Sequence, residues 1–75
     1  MRTVPAEHYL RILLRQQRTG FYLQPSGDWN EGRDTAWNFS DAVKALCFAE
    51  DKQLQGADIL MAVPDQSLDI ILARI

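Results

Sequence analysis

The sequence predicts an α+β fold of the order β-β-α-β-β, in which a four-stranded, mainly antiparallel sheet carries one helix on one face. Three observations predict it: two pairs of short segments with alternating apolar residues, a turn signal inside each pair, and one Ala-rich segment between the pairs. A helix and a sheet bury their apolar sides by packing on one another. The 75 residues are expected to form a single domain, with residues 1–8 as a loose lead-in.

The helix is predicted over about residues 41–54. Ser40 is the expected N-cap, because its hydroxyl can accept a hydrogen bond from the free N–H groups of the first turn. Several alanines and Leu46 favour the helix interior. Gly56 is placed to end the helix in a left-handed conformation.

Phe48 lies on the side of this helix away from Leu46, about 160° around the axis. One sheet cannot easily cover both side chains. Two interpretations stay open: the irregular loop over residues 25–38 covers Phe48, or Phe48 faces a partner. The two tryptophans of that loop, Trp29 and Trp37, are expected to close the core beside the helix.

Alternation of apolar and polar residues predicts four strands, over residues 8–17, 21–24, 57–63 and 68–75. For the first strand an alternative stays open, a helix that begins at Pro5 and runs through residue 15. A right-handed crossover favours the strand order 2-1-3-4 with antiparallel neighbours, and 2-1-4-3 is the alternative.

The sheet face away from the helix is expected to be more apolar than a water-exposed face needs to be. Because contiguous exposed apolar surface marks an interface, we expect a homodimer or a docking surface for another protein. The expected interface residues are Tyr9, Leu13, Tyr22, Leu60 and Ile71, with Ala62 and Ala73 beside them, and Phe48 from the helix. The alternative is that residues 1–8 fold back over this face.

Arginines on the N-terminal half suggest a second possible function, weak nucleic-acid binding. Arg11, Arg15 and Arg18, with Tyr9 and Tyr22 nearby, form a pattern that can contact phosphates and stack bases on an open sheet. The overall charge argues against it, because the net charge is −2 and residues 34–75 carry seven acidic against three basic side chains.

The sequence contains no recognisable catalytic constellation. His8 and Cys47 are the only residues of their types, so the chain can form no internal disulfide. Cys47 lies mid-helix among apolar residues and is expected to be a small core hydrophobe. The glycines are scattered, and the acids of the loop match no calcium-binding pattern. We therefore expect a non-enzymatic domain without cofactor or metal, which works by protein–protein contact.

The sequence also bears on location. No apolar run approaches the roughly 18 residues that a membrane-spanning helix needs. The first eight residues lack the apolar block of a signal peptide. We expect a cytoplasmic protein without membrane contact.

A longer pattern runs through the middle of the chain. Gly20-Phe-Tyr-Leu23 is followed by Trp29 and by Ala36-x-x-Phe-Ser-x-Ala-x-x-Ala-Leu46. Over residues 20–63 this pattern resembles small uncharacterised bacterial or phage-borne ββαββ domains, in which an aromatic hairpin precedes a short Ala-rich helix. The segment from Phe39 to Ala42 also resembles the helix start of the WGR domain, a nucleic-acid-associated module. The Trp-Gly-Arg signature is missing, so that function is not carried over.

Overall fold

The computed structural model describes residues 10–75, which form one α-helix and five strands. The elements in chain order are β1 (Arg11–Gln16), β2 (Tyr22–Leu23), β3 (Trp29–Asn30), α1 (Ala42–Asp51), β4 (Ala57–Ala62) and β5 (Ile70–Arg74). A single 3₁₀ turn, Gln66–Leu68, precedes β5. The predictions for the lead-in, for a helix from Pro5 and for Tyr9 lie outside the described residues.

The strands form one antiparallel sheet in the order β3-β2-β1-β4-β5. The α+β class with one helix and the order of the four predicted strands are confirmed. The number of strands is wrong, because Trp29 and Asn30 pair with β2 as a short fifth strand. A tight turn causes this: Gly27 adopts a left-handed φ of 94°, and the Gln24 N–H donates to the Asp28 carbonyl, so the chain reverses at once.

Both sheet faces carry buried side chains. Under α1 lies a core built from the inward residues of three strands, Ile12, Leu14, Leu23 and Ile59, together with Phe39 and Ala45. The opposite face holds a second cluster of Leu13, Tyr22, Ala36, Leu60 and Ala62. Neighbouring residues of β1 point to opposite faces, as the pleat of a strand requires.

A β-bulge interrupts the last strand pair. Leu60 pairs with Ile71 and Ile59 pairs with Ala73, so Leu72 is the extra residue in β5. A bulge shifts the alternation of side chains by one position. Ala73 therefore packs on the core under α1 rather than on the outer face, and the prediction for that residue is wrong.

The helix begins one residue later than predicted. Ser40 has a φ of 73°, whereas Asp41 is extended and its carboxylate accepts a 2.8 Å hydrogen bond from the Lys44 N–H. The N-cap is therefore Asp41, because an N-cap needs extended backbone as well as a side-chain acceptor.

The helix also ends earlier than residue 54. Gln53 takes the left-handed conformation that was expected of Gly56, and the Leu54 N–H donates to the Ala49 carbonyl. This hydrogen bond, with that from the Gln53 N–H to the Glu50 carbonyl, is the Schellman pattern of a helix end.

Replacing the N-cap tests this assignment. Asp41→Ala is expected to lower the free energy of unfolding by about 0.5–2 kcal/mol, because the backbone N–H of Lys44 in the first turn loses its acceptor. Ser40→Ala is expected to change it by less than about 0.5 kcal/mol. Urea denaturation followed by tryptophan fluorescence measures both variants. A larger loss for Ser40→Ala would contradict the assignment.

Candidate functional site

The outer sheet face, which the sequence suggested as an interface, is covered within the chain. Leu13, Leu60 and Tyr22 are 0%, 1% and 4% exposed. Ala36, from the segment between β3 and α1, is buried in the same cluster. The expectation that this face is open is wrong, and these three residues have no surface to offer a partner.

An ion pair ties that covering segment to the other end of the sheet. Arg33 donates from Nη2 to Asp69 Oδ1 at 2.6 Å and from Nε to Asp69 Oδ2 at 3.1 Å. Its Nη2 also donates to the Val63 carbonyl at 2.6 Å, and the Val63 N–H donates to Asp69 at 3.1 Å. The hydrogen bond with Asp69 raises the pKa of Arg33. Only 13% and 7% of the two side chains are exposed, so this is a buried, bidentate pair.

A second polar network holds the start of the covering segment. The buried Gln24 donates to the Gly32 carbonyl at 2.8 Å and accepts from Thr35 Oγ1 at 2.7 Å. A Cβ at Gly32 would lie 2.6 Å from Thr35 Oγ1, so a side chain there would displace the network. No buried side-chain nitrogen or oxygen among residues 10–75 lacks a hydrogen-bond partner. The segment is therefore a fixed part of the fold.

Next to the ion pair, the 3₁₀ turn closes the same face. Gln66 Nε2 approaches the Tyr22 hydroxyl at 3.4 Å. Asp65 accepts from the Ser67 hydroxyl at 2.7 Å and from the Ser67 N–H at 3.0 Å. Both hydrogen bonds lower the pKa of Asp65, and the one from the Ser67 hydroxyl has the larger effect. The turn is thus ordered by its own side chains.

Two arginines of the predicted nucleic-acid stripe, Arg11 and Arg15, lie on the same face of β1 and bind different partners. Arg11 Nη1 donates to the Asp34 carbonyl at 3.3 Å. Arg15 lies 3.7 Å from the buried Asp58, which also lies 4.0 Å from Arg74.

Arg18 lies apart from these arginines, in the turn after β1. It lines an open cleft of about 470 Å³ with Gln16, Thr19, Gln55 and Gly56. Tyr22 is buried, so the described residues of this face present no tyrosine ring for base stacking.

Phe48 belongs to an aromatic cluster on the helix side. Its ring centroid lies 5.1 Å from that of Trp37 and 5.3 Å from that of Phe39, and Phe48 is half-buried. The rings of Trp37 and Phe39 stack at 4.6 Å. The structure therefore supports the first of the two interpretations, in which the loop covers Phe48.

Cys47 is exposed, so its prediction as a core residue is wrong. The buried residues of α1 are Ala45 and Ala49, and Cys47 lies about 160° around the axis from Ala45. The apolar residues next to Cys47 in the sequence led to the wrong prediction of which side of the helix faces the core. A lone exposed thiol without a partner group does not define a site.

Apolar exposure concentrates at the last strand. Among residues 10–75, eight large apolar side chains are exposed, and four of these fall in one short stretch: Leu68, Ile70, Ile71 and Leu72. We call this stretch the β5 edge. Ile71, at 38% exposed, is the predicted outer-face residue that keeps a surface.

The position of the helix explains this exposure. Helix α1 packs on β1 and β4. On the outer face, the Arg33–Asp69 pair anchors the covering segment just before β5 begins. The β5 edge is therefore left open on both faces, and it is the strongest candidate site.

Residues 10–75 contain no group of three His, Cys, Asp or Glu residues that could hold a metal ion. None of their helices is long and apolar enough to cross a membrane.

Comparison with protein-family models, with curated proteins and with solved structures finds no match for this chain. The resemblances to bacterial or phage-borne domains and to the WGR helix start stay predictions. The function must therefore be inferred from the geometry of the β5 edge.

Proposed function

We propose that this chain is a small non-enzymatic domain that works by protein–protein contact, and that it associates with itself. The observation that carries the proposal is the β5 edge, where Leu68, Ile70, Ile71 and Leu72 are all exposed. Scattered exposed apolar residues are normal on a protein surface, whereas a contiguous group marks a contact site. An exposed apolar edge strand is also the usual place where a second chain is added to a sheet.

The rest of the described surface supports this choice by contrast. The outer face is closed by the Arg33–Asp69 pair, and the aromatic cluster satisfies Phe48 within the chain. Of the other apolar exposures, Leu10 and Phe21 stand alone along the chain, and Val43 and Leu46 form a pair one turn apart on α1. The β5 edge is thus the place where burial against a partner would remove the most apolar surface from water.

The alternative, nucleic-acid binding through Arg11, Arg15 and Arg18, gains no support from the geometry. Base stacking needs an accessible aromatic face. Tyr22 is buried and Tyr9 lies outside the described residues. Arg15 is engaged by Asp58. This alternative stays an untested prediction.

Sedimentation equilibrium, from low micromolar to high micromolar concentration, tests the proposal. We expect the average mass to rise from that of one chain towards twice that mass, with little dependence on salt because the contact is apolar. A single-chain mass at every concentration would overturn self-association. Light scattering after size-exclusion chromatography provides an independent measurement of the same mass.

A further inference from the structure

We infer that the outer sheet face carries a binding site for a phosphate group, formed by Arg15 of β1 and Arg74 of β5 on either side of Asp58 in β4. The three residues lie in one row across the sheet, because Asp58 pairs with Arg15 on one side and with Arg74 on the other. Both guanidinium groups approach the Asp58 carboxylate, so the three side chains share the outer face. The site goes beyond the proposed self-association and does not depend on it.

This row lies at the end of the outer face that is away from the covering segment. The segment meets β1 at Arg11, whose Nη1 donates to the Asp34 carbonyl at 3.3 Å. Arg15 comes four residues later, about 13 Å further along the strand. The side chains of Arg15 and Arg74 are 28% and 67% exposed. A ligand in solution can therefore reach both guanidinium groups.

The Asp58 carboxylate holds the two arginines by charge alone. Its Oδ1 accepts a 2.8 Å hydrogen bond from Gln17 Nε2, and its side chain is only 3% exposed. Arg15 Nη2 lies 3.7 Å from Oδ2 and Arg74 Nε lies 4.0 Å from Oδ1, and both distances are too long for hydrogen bonds. Asp58 thus brings the two guanidinium groups to one place without using their N–H groups.

The other buried ion pair of the sheet shows the contrast. Arg33 donates two hydrogen bonds to Asp69, as expected of a pair whose role is structural. Within residues 10–75 the guanidinium hydrogen bonds all come from Arg11 and Arg33. The N–H donors of the Arg15 and Arg74 guanidinium groups are therefore available to a ligand.

The charge and the donors of this row favour a phosphate group over other anions. Two guanidinium groups against one carboxylate leave one positive charge. A carboxylate ligand has two oxygens, which a single guanidinium fork can satisfy, whereas a phosphomonoester has three free oxygens and can accept from both arginines at once. A phosphodiester, the group that links nucleotides in nucleic acids, has two free oxygens and carries one negative charge. The row is therefore assigned to a phosphomonoester or to inorganic phosphate.

Titration of the whole chain with inorganic phosphate tests the site. Backbone amide resonances are followed by NMR at constant ionic strength, so that general screening by salt does not change. The amides of Arg15, Asp58 and Arg74 are expected to shift and to saturate, and that of Arg11 at the covered end is expected to stay in place. Shifts without saturation, or equal shifts at Arg11, would overturn the inference.

Removing one arginine tests the role of the pair. Arg74→Met is expected to weaken phosphate binding about tenfold, because the ligand loses its charge-assisted hydrogen bonds to the second guanidinium. The fold is expected to tolerate this change, since the Arg74 side chain is mostly exposed, and the amide spectrum checks it. Arg74→Lys keeps the charge but loses the planar fork, so an intermediate affinity is expected.

Lys44→Met is the matched control. Lys44 is exposed on α1, and this variant changes the net charge by the same amount as Arg74→Met. Its affinity for phosphate is expected to equal that of the wild type. An equal loss in both variants would show that binding follows the net charge of the chain and would overturn the site.

Two further ligands test the assignment to a phosphomonoester. Acetate and dimethyl phosphate are each expected to bind about tenfold more weakly than inorganic phosphate, because neither engages both guanidinium groups fully. Acetate that binds as tightly as phosphate would overturn the preference for phosphate. Dimethyl phosphate that binds as tightly would assign the row to nucleic-acid backbones instead and would also overturn the inference. Each of these failures leaves the proposed self-association standing.

Discussion

Replacing Arg33 with methionine is expected to lower the free energy of unfolding by about 3–5 kcal/mol. The Asp69 carboxylate, which is only 7% exposed, accepts three hydrogen bonds, two from Arg33 and one from the Val63 N–H. The change leaves it with the one from the Val63 N–H alone. It also releases the Val63 carbonyl from its 2.6 Å hydrogen bond. A domain of this length is stable by roughly 4–11 kcal/mol in total, so this loss removes about a quarter or more of its stability.

Urea denaturation, read by the fluorescence of Trp29 and Trp37, measures this loss. Arg18→Met is the matched control, because Arg18 is exposed and has no ion-pair partner among residues 10–75. Its expected change is within about 0.5 kcal/mol. An Arg33→Met loss no larger than that of the control would contradict the role of the pair.

A double-variant cycle shows whether the two charges act together. Asp69→Leu alone is expected to be as harmful as Arg33→Met, because it leaves the guanidinium buried without its partner. The double variant is expected to lose less than the sum of the two, since neither charge is then left alone. Additive losses would mean that the two side chains stabilise the fold through separate contacts.

The predictable part of this fold is the part encoded locally. Alternating apolar residues in β1 and β4, and the alanines of α1, repeat with the period of their own secondary structure. The strand order followed from two hairpins joined by one crossover. The fifth strand did not follow, because two residues, Trp29 and Asn30, show no period and pair only because of the turn at Gly27.

The candidate site depended on long-range contacts. Arg33 and Asp69 are 36 residues apart, and nothing in their local sequence indicates that they meet. The sequence therefore predicted an open outer face, whereas the segment that contains Arg33 and Ala36 covers it. The sequence held only a weak signal of this covering segment, the adjacent Gly32 and Arg33 in a polar loop.

The predictions of the helix N-cap and of the position of Cys47 were wrong for a different reason. Ser40 and Asp41 are both good N-cap residues, and only the backbone conformation decides between them. The prediction for Cys47 was wrong because small residues lie on several sides of α1. The sequence therefore does not determine which side of the helix faces the core. For Phe48 the sequence left two interpretations open, and its ring contacts with Trp37 and Phe39 decide between them.

The last prediction compares the two sheet faces directly. Leu13 and Leu14 are neighbours in β1, identical in size and both 0% exposed, but Leu13 points to the outer face and Leu14 to the core under α1. Leu13→Ala and Leu14→Ala are each expected to lower the free energy of unfolding by about 2–5 kcal/mol, because each leaves a cavity in packed surroundings.

The comparison is best made with Leu72→Lys also present, because a charge at this exposed residue of the β5 edge is expected to weaken the proposed self-association. Urea denaturation at low and high protein concentration is the measurement. If the segment containing Arg33 and Ala36 closes the outer face within one chain, the Leu13→Ala loss is the same at both concentrations. A small loss for Leu13→Ala beside a large one for Leu14→Ala would mean that the outer face is loosely packed. Interaction would then belong to that face as much as to the β5 edge, because an apolar surface that the chain does not bury is available to a partner.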